Sequence, residues 1–146
     1  MEVKKFEYRF PFIEHHKTDG TVLLLPLVEV TFGIENSKMT HRLMFDTGAL
    51  NTIFWSKYFT AFGLNSWNEG EEITVFGVGG FQEGFKYDVT LEILGKAVNC
   101  PIILLEVMKP PSLYAGVLGR DTILDGFGFG FWEYSKELFI TDNPEL

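Results

Sequence analysis

The stretch Leu43-Met44-Phe45-Asp46-Thr47-Gly48-Ala49 decides how this chain is read. Three apolar residues run into an aspartate that is followed by a hydroxyl and a glycine, so an apolar strand delivers one carboxylate into a tight turn. A charge there is costly. It must find hydrogen-bond donors or change its ionisation, and groups in that position concentrate at functional sites. A second apolar group, Ile53-Phe54, follows closely, giving a strand, a sharp loop and another strand. Downstream, Val117-Leu118-Gly119-Arg120-Asp121 repeats the pattern of an apolar pair entering a glycine turn.

Length and composition bound the answer. A chain of 146 residues is long enough for one domain with a real core and too short for two of ordinary size, so 1–146 is read as a single domain, with residues 1–20 open to reading as an N-terminal strand extension. The formal charge of −8 disfavours nucleic acid, whose phosphates need clustered Lys and Arg. Aromatic residues make up 16% of the chain, 15 of them Phe, which suits strands better than helices.

The single Cys100 can form no internal disulfide and sits among apolar neighbours, which fits an inert core thiol and a cytoplasmic, reducing location. Met1 to Phe6 alternates charged and apolar residues, unlike a signal peptide. The longest apolar run, Val22 to Val28, is interrupted by Pro26 and closed by Glu29, far short of the ~20 residues a membrane helix needs. His15 and His16 are adjacent but lack metal-ligand spacing and a nearby Cys cluster, so no metal and no cofactor is expected.

Along the chain the dominant period is two. Phe6, Tyr8, Phe10 and Phe12 alternate with Glu7, Arg9 and Pro11, a half-buried strand that Pro11 places at an edge or ends. Thr21 to Ile34 and Met39 to Phe45 read as a hairpin across Glu35-Asn36-Ser37, whose second strand leads into Asp46. Ser56 is expected to cap one or two helical turns that end at Gly63. Ile73 to Phe76 and Phe81 to Leu94 form a hairpin whose tip is Gly77-Val78-Gly79-Gly80. The apolar strand Ala97 to Val107 follows. Asp121 is expected to cap a short helix over Thr122-Ile123-Leu124. Phe127, Phe129 and Phe131 alternate with Gly128 and Gly130, so a bare backbone face must be closely packed by something. The expected fold is all-β with one or two short helices.

Three marks in order, Phe45-Asp46-Thr47-Gly48-Ala49, Phe76-Gly77-Val78-Gly79-Gly80 and Val117-Leu118-Gly119-Arg120-Asp121, make the chain resemble the retropepsin-like aspartic proteases, single-domain relatives of the retroviral proteases. The resemblance covers about Thr21 to Ile140. It implies a closed, barrel-like β domain, a catalytic Asp46 in an active-site loop of Thr47, Gly48 and Ala49, and a substrate-covering flap at Gly77, Val78, Gly79 and Gly80. Gly119, Arg120 and Asp121 would be structural. The partners it implies are a polypeptide substrate and a second copy of the chain, without nucleic acid or membrane insertion.

The chemistry follows from one Asp-Thr-Gly per chain. Two carboxylates sharing a proton can make a water basic while polarising a carbonyl, and like charges about 3 Å apart cannot both ionise; aspartic proteases are the standard illustration. Asp121 is not a second Asp-Thr-Gly. The second carboxylate is therefore expected from another molecule across a two-fold axis, with Thr47 bridging to the partner loop. Ala49 cannot donate the hydrogen bond that a Ser or Thr there would give, so a mildly acidic optimum is expected. Leu50 and Asn51 stand where retroviral members carry an acid that pairs with the arginine, so Arg120 needs another partner, a carboxylate elsewhere or backbone carbonyls, with a structural ion pair as its expected role. A competing reading is a peptide-binding or dimerisation module with little turnover; a third is a plain β domain carrying a chance triplet.

Overall fold

The structure, a computed structural model, describes residues 6–121 and 124–142. Twelve strands carry almost all of its regular structure, which bears out the all-β expectation: β1 (Tyr8–Pro11), β2 (Ile13–His16), β3 (Val22–Leu25), β4 (Leu27–Phe32), β5 (Met39–Phe45), β6 (Ile53–Trp55), β7 (Glu71–Gly77), β8 (Gly80–Ile93), β9 (Lys96–Leu105), β10 (Gly116–Leu118), β11 (Gly128–Trp132) and β12 (Glu137–Thr141).

The largest sheet has the order β4-β5-β10-β6-β9-β8-β7. β4 also pairs with β8, Thr31 opposite Glu92 and Phe32 opposite Leu91, so the strands from β4 round to β8 close into a ring with β7 attached outside it. A closed ring leaves no edges among its members. Phe32, Phe54 and Phe62 meet inside with ring centroids 4.6, 5.4 and 5.2 Å apart. Phe32 and Phe54 are fully buried, each contributing about 1.5–3 kcal/mol of apolar transfer.

Two smaller sheets come from the ends of the chain. β1 pairs with β12 and β12 with β11, so the alternating aromatic segment near the start is joined to the last strands. Phe6 covers the bare face of β11: a Cβ at Gly130 would lie 3.4 Å from the Phe6 ring. β2 and β3 form a separate ribbon. The expected hairpin across Glu35–Ser37 is formed by β4 and β5, while the Thr21 to Ile34 run is two strands, of which only β4 is its arm. Pro26 has no N–H for a ladder, and the chain changes pairing partner there.

The helix expectations need correction. The described helical segments are three 3₁₀ turns of three residues, Glu35–Ser37, Ser56–Tyr58 and Leu124–Gly126, rather than one or two helices. Ser56 does not cap: it is the first residue of its turn, Trp55 holds the cap position, and no side chain there bonds the free N–H groups of the turn. Gly63, at φ +74°, does end the following turns. The expected helix over Thr122 and Ile123 lies outside the described residues.

Candidate active site

β5 carries Leu43 and Phe45 into the core, and Phe45 is the last buried residue before the loop. The backbone N–H of Asp46 donates to the carbonyl of Leu118 at 3.2 Å, which ends the pairing of β5 with β10. The chain then folds back on the carboxylate. Gly48 N–H donates to Asp46 Oδ1 at 2.9 Å, and Ala49 N–H to the Asp46 carbonyl at 3.2 Å. An N–H donating to a carboxylate is a charge-assisted bond, and it answers part of the cost of placing the charge there. A Cβ at residue 48 would stand 3.2 Å from Asp46 Oδ1, tighter than ordinary contact, so glycine permits the wrap. Asp46 is half-buried, Thr47 and Gly48 are exposed, and among the described residues no cation pairs with Asp46.

The second mark braces the first. β10 lies between β5 and β6, parallel to the former and antiparallel to the latter, although it follows both by more than sixty residues. Its continuation runs along the far side of the Asp46 loop. Gly119 N–H donates to Thr52 Oγ1 at 3.0 Å, Arg120 N–H to the Ala49 carbonyl at 2.9 Å, and Asp121 N–H to the Leu50 carbonyl at 3.0 Å. In return the Asp121 carboxylate accepts from Thr52 N–H at 3.0 Å and from Asn51 Nδ2 at 3.2 Å. Thr52 is fully buried, so each of its polar groups needs these partners. A Cβ at Gly119 would fall 2.2 Å from the Asn51 carbonyl, which no side chain survives.

The Asp121 carboxylate braces the loop, and the helix it was expected to cap lies outside the described residues. Arg120 forms no ion pair among the described residues; its side chain is exposed, and only its backbone holds the loop. The reading of the sequence missed Asn51 and Thr52 as parts of the site. The available signal was Asp121 itself, a carboxylate beside a buried strand that needed donors. Asparagine at 51 also has a physical reason, because an acid would set a second negative charge against Asp121.

The glycine-rich hairpin stands as expected. β7 and β8 pair down to Gly77 opposite Gly80, with Val78 and Gly79 at the turn. Phe76 and Phe81 face each other across it with centroids 4.9 Å apart, yet both rings are mostly exposed and Val78 is fully so. A Cβ at Gly77, Gly79 or Gly80 would meet nothing; only Gly80, at φ +106°, needs glycine for its backbone. The base is anchored by Gln82 Nε2 donating to the Glu106 carbonyl. Among the described residues no hydrogen bond or ring contact joins the tip to residues 46–49. The structure thus brings the first and third marks together and leaves the second free-standing.

Other chemistry is sparse. Among the described residues no group of His, Cys, Asp or Glu could hold a metal ion. His16 Nε2 lies 3.1 Å from the Glu14 carboxylate instead. Burial, and then the charges of Asp121 and Asp88, push the Cys100 thiol up to about 12, so it is no nucleophile at neutral pH. Two open clefts of about 610 and 620 Å³ flank the barrel, and neither is lined by a residue of the Asp46 loop. No helix among the described residues is long and apolar enough to cross a membrane. Compared with known proteins, the chain matches no protein-family model and no curated protein.

Proposed function

We propose that this chain is a homodimeric aspartic endopeptidase of the retropepsin type, in which Asp46 of each subunit holds the lytic water. The observation that carries the reading is the bracing of the Asp46 loop: a carboxylate at the end of a buried strand, wrapped by Gly48 N–H and pinned from behind by Gly119 to Asp121. A general base must be held within hydrogen-bond reach of its water, and a loop fixed at residues 49, 50, 51 and 52 does that for a side chain at 46. A plain β domain has no use for such a brace around a half-exposed charge.

In this reading two Asp46 carboxylates share one proton. The ionised one takes a proton from water as the oxygen attacks the peptide carbonyl, while the protonated one donates to the carbonyl oxygen. Proton transfer to the amine then lets the C–N bond break. Thr47, whose hydroxyl has no hydrogen-bond partner among the described residues, is free to bond the facing loop. The hairpin tip supplies cover. Its glycines at 77 and 79 are not required by any contact among the described residues, so backbone mobility over an extended peptide gives them a role. Phe76, Val78 and Phe81 make that cover apolar.

The test is cleavage of a peptide library by wild type and Asp46→Asn at pH 4 to 7, with pepstatin-type inhibition as a check. Wild type should cut, and Asp46→Asn should lose about 10²–10⁴-fold or more of the rate, the range that positioned acid–base catalysis supplies. Turnover that survives the substitution removes the enzyme assignment. Binding without turnover in both proteins replaces it with a peptide-binding module.

A further inference from the structure

We propose that His41 is a proton-operated latch on the segment between β9 and β10: uncharged, it holds residues 107–113 against the barrel, and protonated, it leaves its niche and lets them go. The proposal goes beyond the protease reading and does not need turnover. His41 is a polar residue on the inner face of β5, directly opposite the fully buried Val30. Its ring stands edge-on to Tyr58 at 5.8 Å. Arg42 N–H donates to His41 Nδ1 at 2.7 Å, so Nδ1 carries no proton and Nε2 does. The Ser112 backbone acts on the ring in the sense that favours a proton there, which is what a carbonyl accepting from Nε2 does.

This niche accepts only the neutral ring. The N–H and C=O of one strand residue point to the same side, and the Arg42 carbonyl accepts from Ala115 N–H, so the Arg42 N–H lies on that edge of β5 too, where β10 has not yet begun. His41 Nδ1 fills the gap. A second proton on the ring would set N–H against N–H, and an acceptor would become a donor facing a donor. The charges near the ring oppose it as well: Lys57 from the turn after β6, and Arg42 on β5 itself. Tyr58 on that turn is kept neutral by burial, β4 presents Val30, and the loop's own Glu106 and Lys109 are exposed. Among the described residues no carboxylate acts on the ring. A charged ring therefore gains by moving to water, and Ser112 loses its hold.

Little else holds the segment. Pro110 and Pro111 have no N–H to give, and among the described residues no other hydrogen bond reaches 107–113. Its two ends, by contrast, are tied to elements of the candidate site. The Glu106 carbonyl accepts from Gln82 Nε2 at the base of the glycine hairpin, and the Tyr114 carbonyl accepts from Trp55 Nε1 at 2.9 Å just before β10. β10 then runs into the brace of the Asp46 loop. Freeing 107–113 in acid thus loosens the hairpin at its base, while the bonds of Ala115 to Arg42 and Trp55 keep β10 in its sheet.

The experiment is an NMR titration of the full chain from pH 8 to pH 5, following the His41 ring, the backbone amides and the Trp55 indole N–H. In wild type the ring, the amides of 107–109 and 112–114 and the Trp55 indole should shift with one midpoint below 6.5, while the amides of 27–32 and 98–105 stay in place. His41→Gln keeps an acceptor and cannot take the charge, so it should abolish the shared transition. Lys57→Gln removes an opposing charge and should raise the midpoint of the ring and of 107–114 together, a shift that a histidine serving only as packing would not pass on. Residues 107–114 that do not follow His41, or a transition that survives His41→Gln, overturn the proposal. So does loss of the whole sheet's signals at the same midpoint, which is global unfolding. If His41→Gln does not fold, Lys57→Gln decides: a midpoint at 107–114 that moves with the ring supports the latch, and one that stays put overturns it.

Discussion

Asp121 shows how one carboxylate can hold a loop that it does not belong to. Its two oxygens answer Thr52 N–H and Asn51 Nδ2, and Thr52 is out of reach of water. Asp121→Ala should therefore cost about 1–3 kcal/mol, the penalty of a buried donor left unpaired, readable as a lower urea midpoint. Asp121→Asn keeps an oxygen for Thr52 and should lose less. His41 makes a separate point about acid. It lies on β5, its ring edge-on to Tyr58, and burial holds its pKa below the usual 6.5, with Lys57 and Arg42 adding to the depression and a backbone bond to Ser112 opposing it. The unfolded chain takes up the proton first, so stability present above about 6.5 is lost as pH falls through the folded value. The melting temperature should drop between pH 7 and pH 5, and drop less in His41→Gln. An equal drop in both would place the acid sensitivity elsewhere.

The two glycine-bearing elements separate structural need from functional need. At the end of β10, Gly119→Ala drives a Cβ into the Asn51 carbonyl backbone, which cannot yield as a side-chain tip can. It should cost more than about 4 kcal/mol or abolish folding. At the tip of β7 and β8, Gly79→Ala meets open space and should change stability by no more than about 0.5 kcal/mol. If the hairpin covers substrate, the same substitution should lower kcat/KM for peptide cleavage while the melting temperature stays put. Unchanged kinetics would remove the hairpin from the site. Both elements were visible before the fold was known, because an apolar run closed by glycine is a local signal. The opposite fates of the two glycines were not, since nothing in Gly119 or Gly79 says what lies within 3 Å.

For the molecule as a whole, each chain brings one Asp-Thr-Gly loop, and the proposed catalysis by two carboxylates would make activity second order in protein at low concentration. Specific activity should fall as the chain is diluted below its dimer dissociation constant and recover on concentration. A strictly monomeric protein with constant specific activity at nanomolar concentration would contradict the two-carboxylate reading. The all-β architecture was legible because strand periodicity and turn residues act over a few positions. The closure of the ring by β4 and β8, and the joining of β1 to β12, were not, because they depend on which apolar faces meet after collapse.

By itself the sequence determined that strands would dominate, that Asp46 would sit in a turn at the end of one, and that a glycine tip would cap a long hairpin. Alternation, proline and glycine act through the dihedral angles of their own residues, and so they can be read in place. Tertiary structure alone decided that β10 would slide between β5 and β6, that Asp121 would clasp Asn51 and Thr52, and that Phe129 and Phe131 would pack beside Phe45. Those contacts join residues more than sixty positions apart, and their free energy comes from burial shared among strands that no local period names.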